Sequence, residues 1–205
     1  KEYKMKYSNN LEIFFNNLKN DKIKIVCRMG SIAPNHYLEE IIRSFCFVDE
    51  NCILILAGID VDNYTKKLYE IIEKLNLEKK IFIFKNIDNF TWYEILKNVH
   101  IGLCFYEENS ISHNNMAGTS TKFNNYIYGN IPMITNDNVD FNSLRKKTDI
   151  LETTHPQNPK NIATKINFLL NDEKRYSELK KNLNKSFYEE FNFEKQYENS
   201  YKKIL

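Results

Sequence analysis

The sequence lacks the short signatures that usually announce a function. Neither G-x-G-x-x-G nor G-x-x-x-x-G-K-[ST] occurs, which removes the main support for a Rossmann dehydrogenase or a P-loop nucleotidase. No G-x-S-x-G elbow is present, and no Ser, His and acid arrangement can be argued from spacing. His36, His100, His113 and His155 are scattered without the paired spacing of a zinc site, so no metal is expected. There is no CxxC pair: Cys27, Cys46, Cys52 and Cys104 stand singly in apolar runs, as reduced thiols of a cytoplasmic protein do. No apolar run approaches the roughly 18 residues of a membrane span, and no signal-peptide pattern is seen. Charge of one sign is lacking too. The 29 Lys plus Arg against 27 Asp plus Glu leave +2, too balanced for a dedicated nucleic-acid binder. Beginning at Lys1 and not at a methionine, the chain reads as a piece of a longer protein.

What is present is an alternation. Hydrophobic residues make up 42% of the chain and aromatics 14%, enough to bury a substantial core. Residues 1–20 read as an N-terminal helical or linker segment, and residues 21–205 as one domain. In that domain KIKIVCRMG, CILILAG, KKIFIFKNI, IGLCFY, IPMIT and DILETTH have the short, apolar character of strands. Between them HYLEEIIRSFCFV, VDNYTKKLYEIIEKLNL, FTWYEILKNV and TKFNNYIY carry helical periodicity. Asn158 is placed to cap a helix opening at Pro159, and a helical tail follows. The order predicts a doubly wound, mostly parallel, Rossmann-like α/β sheet of about six strands.

In such sheets ligands bind beyond the carboxyl ends of the strands. That rule selects four loops: Met29 to His36, Gly58 to Asp62, Asn86 to Phe90, and Tyr106 to Thr121. The last leads into TSTKFNNYIYGNIPMITND (119–137). If Thr119, Ser120 and Thr121 cap a helix beginning near Lys122, their hydroxyls, the free amides of the first turn and the lysine form an anion site. The plain alternative is an ordinary cap followed by a solvated lysine. Gly30 follows a strand, where a missing side chain admits a ligand to the backbone. His36 is either a phosphate donor or a loop histidine, and Arg28 either a ligand cation or a strand-end charge. Glu107 and Glu108 could meet a cation or a sugar hydroxyl, or simply be solvated. Trp92 reads as a helix anchor.

Taken together, "MGSIAPNHYLEEIIRSF", "CILILAGI", "IFIFKNIDNFTWYEILKNVHIGLCFY" and "TKFNNYIYGNIPMI" occur in an order that resembles the C-terminal, donor-binding half of a GT-B glycosyltransferase, group 1 or family 4-like. Lys122 and Pro132 stand ten positions apart, as in that family's pattern, and the terminal helices are similar as well. The resemblance implies nucleotide-sugar binding, without an obligatory metal or other cofactor. It places Gly30, Ser31 and Thr119 to Lys122 at the phosphates, His36 where a basic residue is usual, and Asn86 and Ile87 at the base. Asn125 falls on the glutamate that holds the ribose, and Ala117 on the other glutamate of the motif. An amide can still accept through its carbonyl oxygen but loses the charge-assisted bonds. Asn130 takes the pattern's glycine position, where a positive φ suits asparagine, and Gly129 could share that role.

The function implied is transfer of a hexosyl-type sugar to a glycan or lipid-linked acceptor in polysaccharide biosynthesis. Lys122 and His36 would act on the leaving diphosphate, and a missing N-terminal domain would complete the cleft. Location would be cytoplasmic, with peripheral association at the inner membrane face through the rest of the protein left open. A degenerate, non-catalytic partner subunit and a nucleotide-sugar epimerase of similar architecture are the alternatives.

Overall fold

The computed structural model describes residues 2–107 and 116–201. The six apolar runs form strands β1 (Lys24–Met29), β2 (Cys52–Gly58), β3 (Ile81–Lys85), β4 (Ile101–Cys104), β5 (Met133–Asn136) and β6 (Leu151–Thr154). Every pairing is parallel, in the order β3-β2-β1-β4-β5-β6. Parallel strands need crossover helices, which cover both faces and explain continuous apolar runs where one-sided sheets would alternate. All seven residues of β2 are buried.

The helices are α1 (Glu2–Asn20), α2 (Leu38–Ser44), α3 (Thr65–Lys74), α4 (Asn89–Leu96), α5 (Thr121–Tyr128), α6 (Val139–Thr148), α7 (Pro159–Asn171), α8 (Glu173–Ser186) and α9 (Phe193–Tyr201). One core layer joins α2, α3 and α7 to Val26, Leu54, Leu56 and Leu103; the other joins α1, α4, α5 and α6 to Cys27, Ile55, Cys104 and Met133. Leu11 and Phe15 of α1 are buried in the second layer, and the Phe14 ring meets Phe82 and Phe84 edge-on. Side chains at Asp88, Ser120, Asn138, Asn158 and Asp172 each accept a hydrogen bond from the first turn of the following helix. Each such cap is worth about 1 kcal/mol and fixes where a strand-to-helix loop ends.

Two local departures from the sequence pattern have clear causes. The helix expected from His36 begins only at Leu38, because Pro34–His36 forms a 3-10 turn and Tyr37 adopts the left-handed region at φ 54°. At the end of α5, Asn130 takes the positive φ (51°), while Gly129 remains right-handed. Gly129 is small for another reason: a Cβ there would lie 2.9 Å from the Ile131 side chain.

The second layer closes on one contact. Any Cβ at Gly102 in β4 would sit 2.6–2.7 Å from the Tyr126 ring, so α5 lies hard against the sheet. The buried Tyr126 hydroxyl then donates to Cys27 O (2.8 Å) and accepts from the Met29 amide (3.2 Å), pinning α5 to the end of β1. Beyond the helices, a π-turn at Phe187–Phe191 presses Phe191 on Phe123 and Phe187 on Tyr128, bracing α5 from behind. At the sheet edge, buried Glu152 is held by Arg145 (3.2 Å), Lys165 (3.2 Å) and Arg175 (2.8 Å), which ties α6, α7 and α8 to β6. Among the described residues no helix is long and apolar enough to cross a membrane.

Gly102→Ala forces a methyl into an aromatic ring at a site with no slack. The expected loss is about 1–3 kcal/mol or more, read as a lower midpoint in urea unfolding with an unchanged slope. A wild-type midpoint would show that the helix can simply ride outward. His100, at the start of β4, accepts the Ile25 amide on Nδ1 (3.1 Å). Burial and the nearby Lys24 and Lys180 lower its pKa from 6.5 to about 4. The folded-state value lies below the unfolded one, so this stabilisation is complete above about pH 6.5 and is lost as pH falls toward 4. Melting curves between those pH values should fall in wild type and flatten in His100→Gln; parallel curves would contradict the assignment.

Candidate functional site

The strand order reverses between β1 and β4, whose following helices α2 and α5 leave to opposite faces. At such a switch point the two outgoing loops part and leave a crevice beyond the carboxyl ends. A cleft of roughly 450 Å³ lies there, lined by Gly30, Ser31, His36, Ile59, Trp92, Tyr106, Met116, Thr119, Ser120, Thr121 and Lys122. Of the residues marked from the sequence, Gly30, Ser31, His36 and Thr119 to Lys122 therefore meet in one place.

From β1 comes Arg28, 1% exposed, whose Nη1 donates to the Ser31 carbonyl while Nε and Nη2 have no hydrogen-bond partner. From α5 comes Lys122, 7% exposed, with Nζ likewise unpartnered. The two side chains converge on Gly30: a Cβ there would be 3.4 Å from Lys122 Cε and 3.6 Å from Arg28 Nη1. Gly30 has φ 114°, and the neighbouring Gly58 is obligatory, since its Cβ would fall 1.8 Å from the Gly30 carbonyl oxygen. The β1 and β2 ends are thus stripped of side chains where a ligand would touch backbone.

Ser120 is the N-cap of α5 and accepts from the Phe123 amide (3.4 Å), with Thr121 the first helical residue. Its hydroxyl also contacts the Tyr106 hydroxyl, and the amides of the first helical turn are further donors at this end. Asn136 of β5 clamps Tyr106 by accepting from its amide (2.9 Å) and donating to its carbonyl (2.8 Å). The Tyr106 ring lies 3.8 Å below Lys122 Nζ and meets the His36 ring edge-on at 5.9 Å.

These distances decide the state of the lysine. A desolvated ammonium over a tyrosine face gains about 2 kcal/mol. Against this, the neighbouring Arg28 charge repels it, and burial of the ion costs several kcal/mol. Burial and repulsion both disfavour the charged form. Burial, and then the Arg28 charge, hold the Lys122 pKa well below its ordinary value, and burial also lowers that of Arg28. Burial raises the Cys104 thiol and Tyr106 phenol, so neither supplies a negative charge. A buried guanidinium just behind the lining and a buried, unpartnered amine within it, with no acid among the described lining residues, can receive an anion.

Asn86 and Ile87 are not in the lining. Asn86, at φ 53°, donates its amide to Gly58 O and accepts the Asp60 amide on Oδ1 (3.1 Å), while Ile87 packs on the second core layer. Asn125 lies further along α5, partly exposed and outside the lining, and Ala117 packs on the same core layer. Glu108, His113 and most of the Tyr106 to Thr121 loop lie outside the described residues. Arg28 is buried, and Trp92 both packs on the core and faces the cleft with exposed Ile59. The signal for Arg28 was its position as a cation inside a strand buried on both faces, two positions before a glycine. Ile59, Tyr106 and Met116 lie in loops that the sheet rule selected, but nothing singled them out within those loops.

The model of the family "Glycosyl transferases group 1" matches residues 9–186. A search of curated protein sequences finds no match. Among solved structures, the chain is similar to Anabaena HepE in complex with UDP and glucose, at TM-score 0.74 and 13% identity, covering 96% of this chain and 53% of that one. It is similar also to the C-terminal domain of LpcC, a glycosyl transferase group 1 family protein from Francisella tularensis, at TM-score 0.70 and 14% identity over 87% and 92% of the two chains. A glycosyltransferase from Rickettsia africae aligns at TM-score 0.70 and 13% identity over 95% and 50%. The chain thus spans about half the length of the HepE and Rickettsia chains, 53% and 50%, but nearly all, 92%, of the isolated LpcC domain. Its six-stranded parallel sheet is the Rossmann-like sheet of those neighbours, and the chain belongs to the glycosyl transferases group 1 family.

Proposed function

We propose that this chain is the donor-binding half of a glycosyltransferase, holding a nucleoside diphosphate-sugar with its diphosphate between Arg28 and Lys122. The observation that carries the reading is a pair of buried basic side chains, Arg28 and Lys122, with unpartnered nitrogens beside a helix start at the sheet's switch point. A buried donor without a partner costs about 1–3 kcal/mol, more when charged, and an incoming diphosphate removes that cost. HepE, whose fold this chain shares, was solved with UDP and with UDP-glucose, which supports a nucleotide-sugar as the ligand class.

In this reading the helix-start amides, Arg28, Lys122 and His36 face charge that develops on the leaving diphosphate, and no metal is obligatory. Ile59 and Trp92 offer the apolar wall for the base, with Asn86 and Ile87 behind it, and Asn125 meets the ribose through an amide. The rest of the enzyme, an N-terminal domain, brings the glycan or lipid-linked acceptor, and the transferred group is hexosyl-type. The assembly works in the cytoplasm, where the thiols remain reduced.

Calorimetric titration with UDP, GDP, CDP and ADP should give heat with at least one. The same ligand should change the emission of Trp92, the single tryptophan of the chain. Silence by both methods with all four would sink the donor-domain reading. In the complete enzyme, Lys122→Ala should lower kcat by about 10²–10³-fold. Its melting temperature should stay near wild type, since the substitution removes a buried amine that has no partner. Unchanged turnover would refute the role.

A further inference from the structure

We propose that Lys122 carries no proton while the cleft is empty and takes one up when a nucleoside diphosphate enters, so that donor binding consumes a proton. The inference rests on the donor-binding reading above and adds to it how the site is regulated. Its basis is the surroundings of Nζ, element by element. β1 presents the Arg28 guanidinium and the Cys27 thiol; β4 and its continuation present Cys104 and Tyr106; the 3-10 turn presents His36. The lysine's own helix adds Tyr126, whose hydroxyl is spent on Cys27 O and the Met29 amide. The thiols and phenols of this group are protonated by burial and carry no charge. Arg28 is permanently charged, as arginine is in proteins, and no carboxylate stands among the described lining residues. Next to a guanidinium, a buried Nζ that meets no acceptor among the described residues suits an amine far better than an ammonium.

A diphosphate reverses that balance. Its oxygens occupy the point on which both side chains converge at Gly30, and they offer the acceptors that Nζ lacks in the free protein. The bound state then holds one more proton than the free state. By linkage, affinity falls with rising pH, by up to about tenfold per unit between the free and bound pKa values of the lysine. Ionisation of the nucleotide's own terminal phosphate acts in the opposite sense, but its pKa of about 6 places it below this window. A practical result is selectivity in time. The full charge pair exists only when a diphosphate is there to meet it, and the empty cleft does not hold two repelling ions.

The test is a proton inventory. UDP is titrated calorimetrically into the chain at about pH 8 in PIPES, HEPES and Tris, buffers with different ionisation heats. The slope of observed against buffer heat should report uptake of about one proton per UDP, and Lys122→Arg, which keeps its charge, should bring the slope to zero. In the empty wild-type chain, the Lys122 Cε signal in a carbon-13 pH titration, assigned by its loss in that variant, should have a midpoint well below those of the exposed lysines. Binding heat with no proton uptake, or a Lys122 midpoint among the exposed lysines, would overturn this inference and leave the donor-binding reading standing. No heat with UDP or with the other three nucleotides in any buffer would remove the donor-binding reading itself, and this inference with it.

Discussion

The seat of Tyr126 on Gly102 is the contact on which the site depends. Lys122 and Tyr126 are one turn apart and therefore share a face of α5. Gly102 lets the ring lie flat against β4, and the hydroxyl locks onto the backbone of β1, 99 positions earlier in the chain. With Tyr126 fixed, Lys122 must stand over Cys104 and Tyr106 and beside Arg28. A helix displaced by the width of a methyl group would carry its lysine away from the arginine. The π-turn behind α5 and the Asn136 clamp on Tyr106 hold the same geometry from the other sides.

The fold concentrates positive charge where its own energetics oppose it. Most charged groups in the molecule are either solvated or paired, as with Glu152 and its three cationic partners. Arg28 and Lys122 are neither. A protein tolerates such an arrangement when a ligand completes it, because the cost in the empty state becomes binding energy in the filled one. Lowering the proton affinity of Lys122 is the less costly way to keep the empty state folded.

Much of this was legible in the residues. The alternation of apolar runs with amphipathic helices predicted a doubly wound sheet, and CILILAG and PKNIATKINFLLN appear as strand and helix with the bounds the pattern suggested. The loop rule and the hydroxyl cluster before Lys122 pointed at the cleft. Legibility failed where a side chain's role depended on its partners. Ser120 read as a phosphate contact, but its hydroxyl also meets the Phe123 amide and the Tyr106 hydroxyl. Arg28 read as a ligand cation or a strand-end charge, and only the structure shows that its side chain is buried.

By itself, then, the sequence determined the order of strands and helices, the layers they form, and the edge of the sheet where a ligand belongs. Those follow from hydrophobic periodicity and capping, which are local and survive without knowledge of the rest of the chain. Only the tertiary structure decided that Arg28, Lys122 and Tyr106 meet, that Ile59 and Trp92 face the same cleft, and that Asn125 stands outside its lining. Such meetings depend on β1 lying next to β4 and on how closely one helix can approach one strand. They are set by packing between segments far apart in the chain, which no local pattern encodes.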